Sequence, residues 1–306
     1  MISRPPALEK FRTRISWKDI DQKSLMSYLQ ICLIEETGVS VVDNLNKDIT
    51  TKVCEISNQG IANIVARENL IVCGIPLIEK IFEAFSTKEI TIVSNFKDGD
   101  EIEKGTIIAS ITGNQKDILL IERTTLNFIQ KLSGIATESK SYSNIVDKHG
   151  VGLLDTRKTT PGLRLLEKYA TSCGGSFNHR MGLFDRILIK DNHLAAKNIK
   201  DAIAFTNFLT NIKENLQKTI LEVEIDTIDL LIPAINSGVD AVLLDNFSPQ
   251  KVKEAVNINQ ERVVLEASGG IKKDLLESYA VAKPHFISTG SPIHASRWVD
   301  IGLDWQ

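Results

Sequence analysis

Leu153-Leu154-Asp155-Thr156-Arg157-Lys158-Thr159-Thr160-Pro161-Gly162 is the stretch that decides the fold of this chain. Apolar residues lead to a polar junction holding two cations, and Pro161-Gly162 breaks the chain before a helical stretch begins at Leu163. The same order recurs downstream. Strands are predicted over 151–155, 186–189, 219–225, 241–244, 263–267 and 285–288. Helices are predicted between them over 163–170, 199–214, 228–236, 249–257 and 273–282. Strict alternation of strand and helix implies a parallel sheet with crossover helices, either an open doubly wound sheet or a barrel.

The polar residues favour the barrel. Nearly every strand stays apolar until its C-terminal end and then delivers functional groups: Arg157 and Lys158, Lys190, Glu224, Asp245, then Ser268-Gly269-Gly270, with Gly290 after the last strand. In an α/β barrel those ends converge on one mouth, whereas an open sheet uses mainly the two strands at its switch point. Six strands are fewer than eight, so the barrel is expected to be incomplete.

Upstream the rhythm differs. A helix is predicted over 24–36, then a polar Asn/Asp-rich loop through Asp48. Short strands are predicted around 61–66, 71–74, 90–93 and 106–111, with a helix over 77–84 and a long one over 118–142. This is an α+β pattern with an antiparallel sheet. The predicted organisation is therefore an N-terminal α+β domain over 1–138 and a barrel over 139–290, with the tail 291–306 returning to the first domain.

The 306 residues are 42% hydrophobic and 25% charged, as in an ordinary globular protein. Cys32, Cys54, Cys73 and Cys173 are widely separated and form no C-x-x-C pair, which speaks for reduced thiols in a cytoplasmic setting rather than zinc or a disulfide framework. No apolar leader, membrane-length apolar run or aromatic-interleaved basic cluster is present, so neither a membrane nor a nucleic acid is expected as partner. G-x-G-x-x-G, Walker A, H-E-x-x-H and G-x-S-x-G sequences are missing too.

Against a formal net charge of −3, the pairs Arg157-Lys158 and His179-Arg180, with Lys190, are a local cationic deposit. Such a deposit suits an anionic ligand, and two arginines suit two carboxylates, or a carboxylate and a phosphate. The plain alternative is a set of surface ion pairs. Glu224 and Asp245 could hold Mg²⁺, accept from ribose hydroxyls, or only neutralise nearby lysines. Ser268-Gly269-Gly270 lets backbone approach a phosphate. His149, His285 and His294 stand isolated, with His294 close enough to Gly290 for a ligand contact. Arg123, on the long helix, is by default a solvated charge.

Together these residues resemble the quinolinate phosphoribosyltransferases. The specific stretches are Glu122-Arg123-Thr124-Thr125-Leu126-Asn127, the Asp155–Gly162 run, Asn178-His179-Arg180-Met181-Gly182-Leu183, Leu188-Ile189-Lys190-Asp191-Asn192-His193, Glu222-Val223-Glu224, Leu244-Asp245-Asn246-Phe247 and Ser268-Gly269-Gly270. The resemblance implies an N-terminal open-faced sandwich, an incomplete α/β barrel, and a homodimer in which Arg123 is donated across the interface. By the same matching, Arg123, Arg157, His179, Arg180 and Lys190 serve quinolinate. Lys158, Glu224, Asp245, Ser268, Gly269, Gly270, Gly290 and His294 serve 5-phosphoribosyl 1-pyrophosphate, with Lys158, Lys190, Glu224 and Asp245 at the reacting centre. Mg²⁺ accompanies that donor, and no organic cofactor is implied. Ser176 departs from the usual glycine triplet, and Ser291-Pro292-Ile293 from the usual small apolar run. Three rivals remain open at this point: a molybdate-transport-associated paralogue of the same fold, a Schiff-base lyase using Lys158 or Lys190, and a non-catalytic anion-binding or regulatory protein.

Overall fold

The computed structural model describes residues 5–38, 48–85, 90–216 and 218–306. Most of the predicted Asn/Asp-rich loop, 39–47, lies outside the described residues. Twelve strands follow in chain order: β1 Gln59–Ala66, β2 Leu70–Ile71, β3 Thr91–Val93, β4 Glu101–Ile102, β5 Ile107–Asn114, β6 Gly152–Leu154, β7 Ile187–Ile189, β8 Leu221–Ile225, β9 Ala241–Asp245, β10 Val264–Ser268, β11 Phe286–Ser288 and β12 Ile301–Trp305. The chain divides into two compact units. One comprises 1–14, 141–160 and 175–295, the other 15–140, 161–174 and 296–306. Segments 1–14 and 161–174 thus fall on the opposite side from where a single cut at 138 would put them.

The first unit is the incomplete barrel. Its sheet runs β6-β11-β10-β9-β8-β7, every neighbour parallel, and β6 and β7 are not paired with each other. Strand alternation gives the sheet two faces. Leu221, Val223, Ile225, Val242, Leu244, Leu265, Ala267 and Ile287 share one core with Leu231, Val252 and Leu276 of the crossover helices. On the other face, Leu154, Ala241, Val264 and Phe286 pack with Ala7, Leu8 and Phe11 of the N-terminal arm. Phe11 is fully buried, stacks on Phe286 at 5.7 Å, and carries the Arg186 guanidinium 3.9 Å above its ring. The arm closes the base of the barrel with apolar side chains, leaving polar residues of the same face for the strand ends.

The second unit is α+β. Its antiparallel sheet runs β12-β1-β5-β3, with Ala62 opposite both Ile111 and Trp305. Ile64, Ala66, Ile108 and Ile111 form a core with Ile78 of helix Ile75–Phe85 and with Ile118, Leu126 and Ile129 of helix Gln115–Asp147. The tail enters this sheet as β12, outside β1.

Element ends differ from expectation where backbone chemistry overrides apolar pattern. The long helix extends from Gln115 to Asp147 because its polar outer turns continue the helix without an apolar signal. The helix expected from residue 199 starts at Ala202, where Asp201 caps the amides of Ile203 and Ala204. The stretch 228–236 is a 3₁₀ turn over Ile228–Leu230 followed by helix Leu231–Asn236.

Candidate active site

The barrel unit holds a cleft of about 700 Å³ at the C-terminal ends of its strands. Arg157, Lys158, His179, Arg180 and Lys190 all line it, as do Glu224, Asp245, Ser268, Gly269, Gly270, Gly290 and His294. Arg123 belongs to the other unit and is exposed on helix Gln115–Asp147.

Asp155, at the end of β6, builds the cationic side. Its side chain is buried and accepts from Asn178 Nδ2 at 2.7 Å and from the His179 amide at 2.8 Å. Phe177 exchanges backbone bonds with Leu153 and Asp155, so Phe177 forms a single parallel bridge to β6. This bond pair sets His179 and Arg180 beside Arg157 and Lys158. Ser176 is buried without positive φ, so the chain accommodates a side chain there, while Gly175 has φ +96°. Carbonyls of both residues accept from Arg14.

Arg180 is buried and its Nη1 donates to the Arg186 carbonyl at 3.4 Å. Burial, then the neighbouring Arg157 charge, push its pKa below the usual guanidinium value. Two neighbouring guanidinium groups are a site that an anion stabilises. Arg157 Nε is buried and lacks a hydrogen-bond partner.

The acidic side stands on β8 and β9. Glu224 is paired with Lys190, and Asp245 accepts from Asn246 Nδ2 at 2.7 Å. The plain reading of Glu224 as a lysine's counter-ion is thus part of its role. Both are hard oxygen donors on one cleft, which suits a Mg²⁺ that keeps most of its water and phosphate ligands.

The phosphate-type turn follows β10. Gly269 has φ +97°, and a Cβ there would lie 2.3 Å from Asn246 Oδ1 and 2.6 Å from Asn246 N. Gly270 has φ +60° with open space around it. Both positions need glycine for conformation, and Gly269 also needs it for room. Ser288 Oγ donates to Ser268 Oγ at 2.9 Å. At Gly290 a Cβ would press on Thr156, Lys158 and His294 at 3.0 to 3.2 Å. Ser291-Pro292-Ile293 forms the short helix Ser291–His294, with Pro292 and Ile293 buried.

Beneath the cleft lies a cluster whose chemistry the sequence reading did not assign. Glu222 and Glu266 are fully buried, and His179 Nε2 is 3.7 Å from Glu222 Oε2 and 3.5 Å from Glu266 Oε1. Arg186 Nη1 lies 3.5 Å from Glu222 Oε2. His179 Nδ1 accepts from the Arg180 amide at 2.7 Å, which leaves Nε2 to carry a proton toward the glutamates. Burial raises both carboxyl pKa values, and that of Glu266 rises far because Glu222 is also beside it. We read Glu266 as the neutral acid and Glu222 as the carboxylate partner of Arg186. The alternation Leu221-Glu222-Val223-Glu224-Ile225 places Glu222 on the same strand face as Glu224, but carries no signal for Glu266. His149 and His285 are not isolated either: His285 Nε2 lies 3.1 Å from Glu261, and His149 Nε2 3.7 Å from Glu277.

The geometry agrees with the comparisons to known proteins. Residues 135–304 match the quinolinate phosphoribosyl transferase C-terminal domain, and 48–133 match its N-terminal domain. A probable nicotinate-nucleotide pyrophosphorylase [carboxylating] of Bacillus subtilis is 38% identical over 248 residues, covering 79% of this chain and 82% of the relative. A quinolinate phosphoribosyltransferase [decarboxylating] of Nicotiana glauca, described as mitochondrial, is 33% identical over 91% of this chain and 81% of its own length. The solved nicotinate-nucleotide pyrophosphorylase of Francisella tularensis superposes with TM-score 0.86 at 34% identity, covering 94% of this chain and 98% of that one.

Proposed function

Because the chain belongs to the quinolinate phosphoribosyltransferase family, we propose that its barrel cleft joins quinolinate to 5-phosphoribosyl 1-pyrophosphate. The products are nicotinate mononucleotide, pyrophosphate and CO₂, a step of de novo NAD biosynthesis. The observation that carries this reading is the meeting of two arginines, two lysines and a glycine turn on one cleft of an acidic protein.

Arg157 and Arg180 grip the two quinolinate carboxylates, with His179 between them and the buried glutamates. Lys158 and Lys190 face the diphosphate, and Ser268, Gly269, Gly270, Gly290 and His294 take the 5′-phosphate. Glu224 and Asp245 accept from the ribose hydroxyls and hold a Mg²⁺ that arrives with the donor. That ion, when bound, offsets charge on the departing pyrophosphate. The pyridine nitrogen attacks the anomeric carbon as the C–O bond to pyrophosphate breaks, and positioning by fixed cations supplies most of the rate. The ring nitrogen, now cationic, stabilises the carbanion left at ring carbon 2 when CO₂ departs, and a proton replaces it. Lys190 is paired with Glu224 rather than set in an apolar pocket, which disfavours the Schiff-base rival.

The same reading takes the functional unit as a homodimer, with Arg123 of each chain completing the partner's quinolinate site. Its support is the exposed guanidinium in the Glu122–Asn127 stretch. A reducing compartment, the cytoplasm, fits the four free thiols. No helix among the described residues is long and apolar enough to cross a membrane. Turnover assays test the activity. Quinolinate with the phosphoribosyl donor and Mg²⁺ yields nicotinate mononucleotide, while nicotinate in its place yields little. Equal turnover of nicotinate, or none of quinolinate, rejects the reading.

A further inference from the structure

Two cysteines a hundred positions apart in sequence meet inside the α+β unit. Cys73 Sγ, Cys173 Sγ and an Asp98 carboxylate oxygen all lie within 4.8 Å of one another. The backbone builds this meeting. Gly99 N donates to the Val72 carbonyl at 2.8 Å, which holds the Asp98-Gly99 turn against Cys73. Asp98 Oδ1 accepts from Ile75 N at 2.9 Å, and Oδ2 accepts from Tyr169 Oη at 2.8 Å. Tyr169 and Cys173 are four apart on helix Arg164–Cys173, so they share one helical face and reach the turn together.

The groups acting on one another here are acids. Burial raises the Cys73 thiol, and Cys173 and Asp98 raise it further. Burial likewise raises Asp98. Both Asp98 oxygens are already engaged by donors, and the two sulfurs interact with each other. Cys73 is sealed from solvent while Cys173 is half-buried. Cys173 is thus the less buried of the two, with a second thiol beside it, the arrangement expected of an attacking and a resolving cysteine.

We infer that Cys73 and Cys173 form an oxidisable dithiol, a modification site for small disulfides of the glutathione type. The Cys173 thiolate attacks one sulfur of the small disulfide, breaking its S–S bond and releasing one small thiol. Cys73 then gives its proton to Asp98 or water and attacks Cys173 sulfur, expelling the second small thiol. Two protein thiols are oxidised to one disulfide, and one small disulfide is reduced to two thiols. The buried, high-pKa Cys73 makes the second step the slower one. Cys173 is the last residue of helix Arg164–Cys173, so the link ties the end of that helix to the chain at Cys73.

The test is peptide mapping of the intact wild-type protein after incubation with oxidised glutathione, without reduction. The expected result is a linked pair of peptides carrying Cys73 and Cys173, lighter by two hydrogens and split by dithiothreitol. Cys32 and Cys54 carry at most a glutathione adduct. In Cys73→Ser the Cys173 peptide stops at the glutathione adduct. Free Cys73 and Cys173 after prolonged exposure overturn the inference. So does a zinc ion, found by elemental analysis of the reduced protein, that Cys73→Ser releases. None of these readouts depends on turnover, so they fail or succeed independently of the proposed reaction.

Discussion

Arg180 is the residue on which the quinolinate reading bears hardest. Its planar fork matches a carboxylate bidentately, and a lysine in its place keeps the charge and loses the second hydrogen bond. Arg180→Lys is expected to raise the KM for quinolinate and cost about 2–3 kcal/mol in kcat/KM. Unchanged steady-state kinetics contradict the assignment. Glu266 offers a second test at this scale, through pH. Its folded pKa is raised, so the folded state keeps a proton that the unfolded chain releases. The stability tied to that proton is full below about pH 4 and is lost as pH rises toward the folded pKa, at about 1.4 kcal/mol per pH unit. Glu266→Gln removes this loss. Denaturation at a series of pH values should show wild type losing ground to the variant from about pH 5 upward. A difference independent of pH means that Glu266 is ionised in the fold.

At the scale of elements, the glycine turn after β10 is the proposed contact of the backbone with the 5′-phosphate. Gly269→Ala forces positive φ on alanine and drives its Cβ into the Asn246 backbone and side chain. We expect a loss of about 1 kcal/mol or more in stability and a larger rise in the KM for the phosphoribosyl donor than for quinolinate. Separate KM measurements check this, and an equal rise for both substrates argues against a phosphate cradle. The elements also show what a sequence makes legible. Strand ends could be read because a run such as Val242-Leu243-Leu244 stops at Asp245, the last residue of β9. The glutamate layer was harder. Glu222 and Glu266 are carboxyl groups buried in strand interiors, with Arg186 and His179 beside them, and no local pattern announces such partners. The N-terminal arm was equally silent. Phe11 finds its place by stacking on Phe286, and nothing near Phe11 in sequence foretells that. The meeting of Cys73 with Cys173 is likewise a product of tertiary pairing.

For the whole molecule, the proposal to test is that a partner copy supplies Arg123 to the quinolinate site. If Arg123 completes the site of a partner copy, chains inactive for different reasons should restore one another. Arg123→Ala and Lys190→Ala proteins, each inactive alone, should regain partial activity when unfolded together and refolded. Mixed refolding without recovery speaks against shared sites. The fold itself has a division of labour in this picture: apolar side chains of the arm fill the base, the helices cover the outer face, and the strand ends are left to carry charge. The most direct measurement is a crystal structure with quinolinate and a non-reactive analogue of the phosphoribosyl donor. The account predicts the two pyridine carboxylates on Arg157 and Arg180 and the 5′-phosphate on the Ser268–Gly270 turn. An empty cleft, or the pyridine seated away from both arginines, contradicts it.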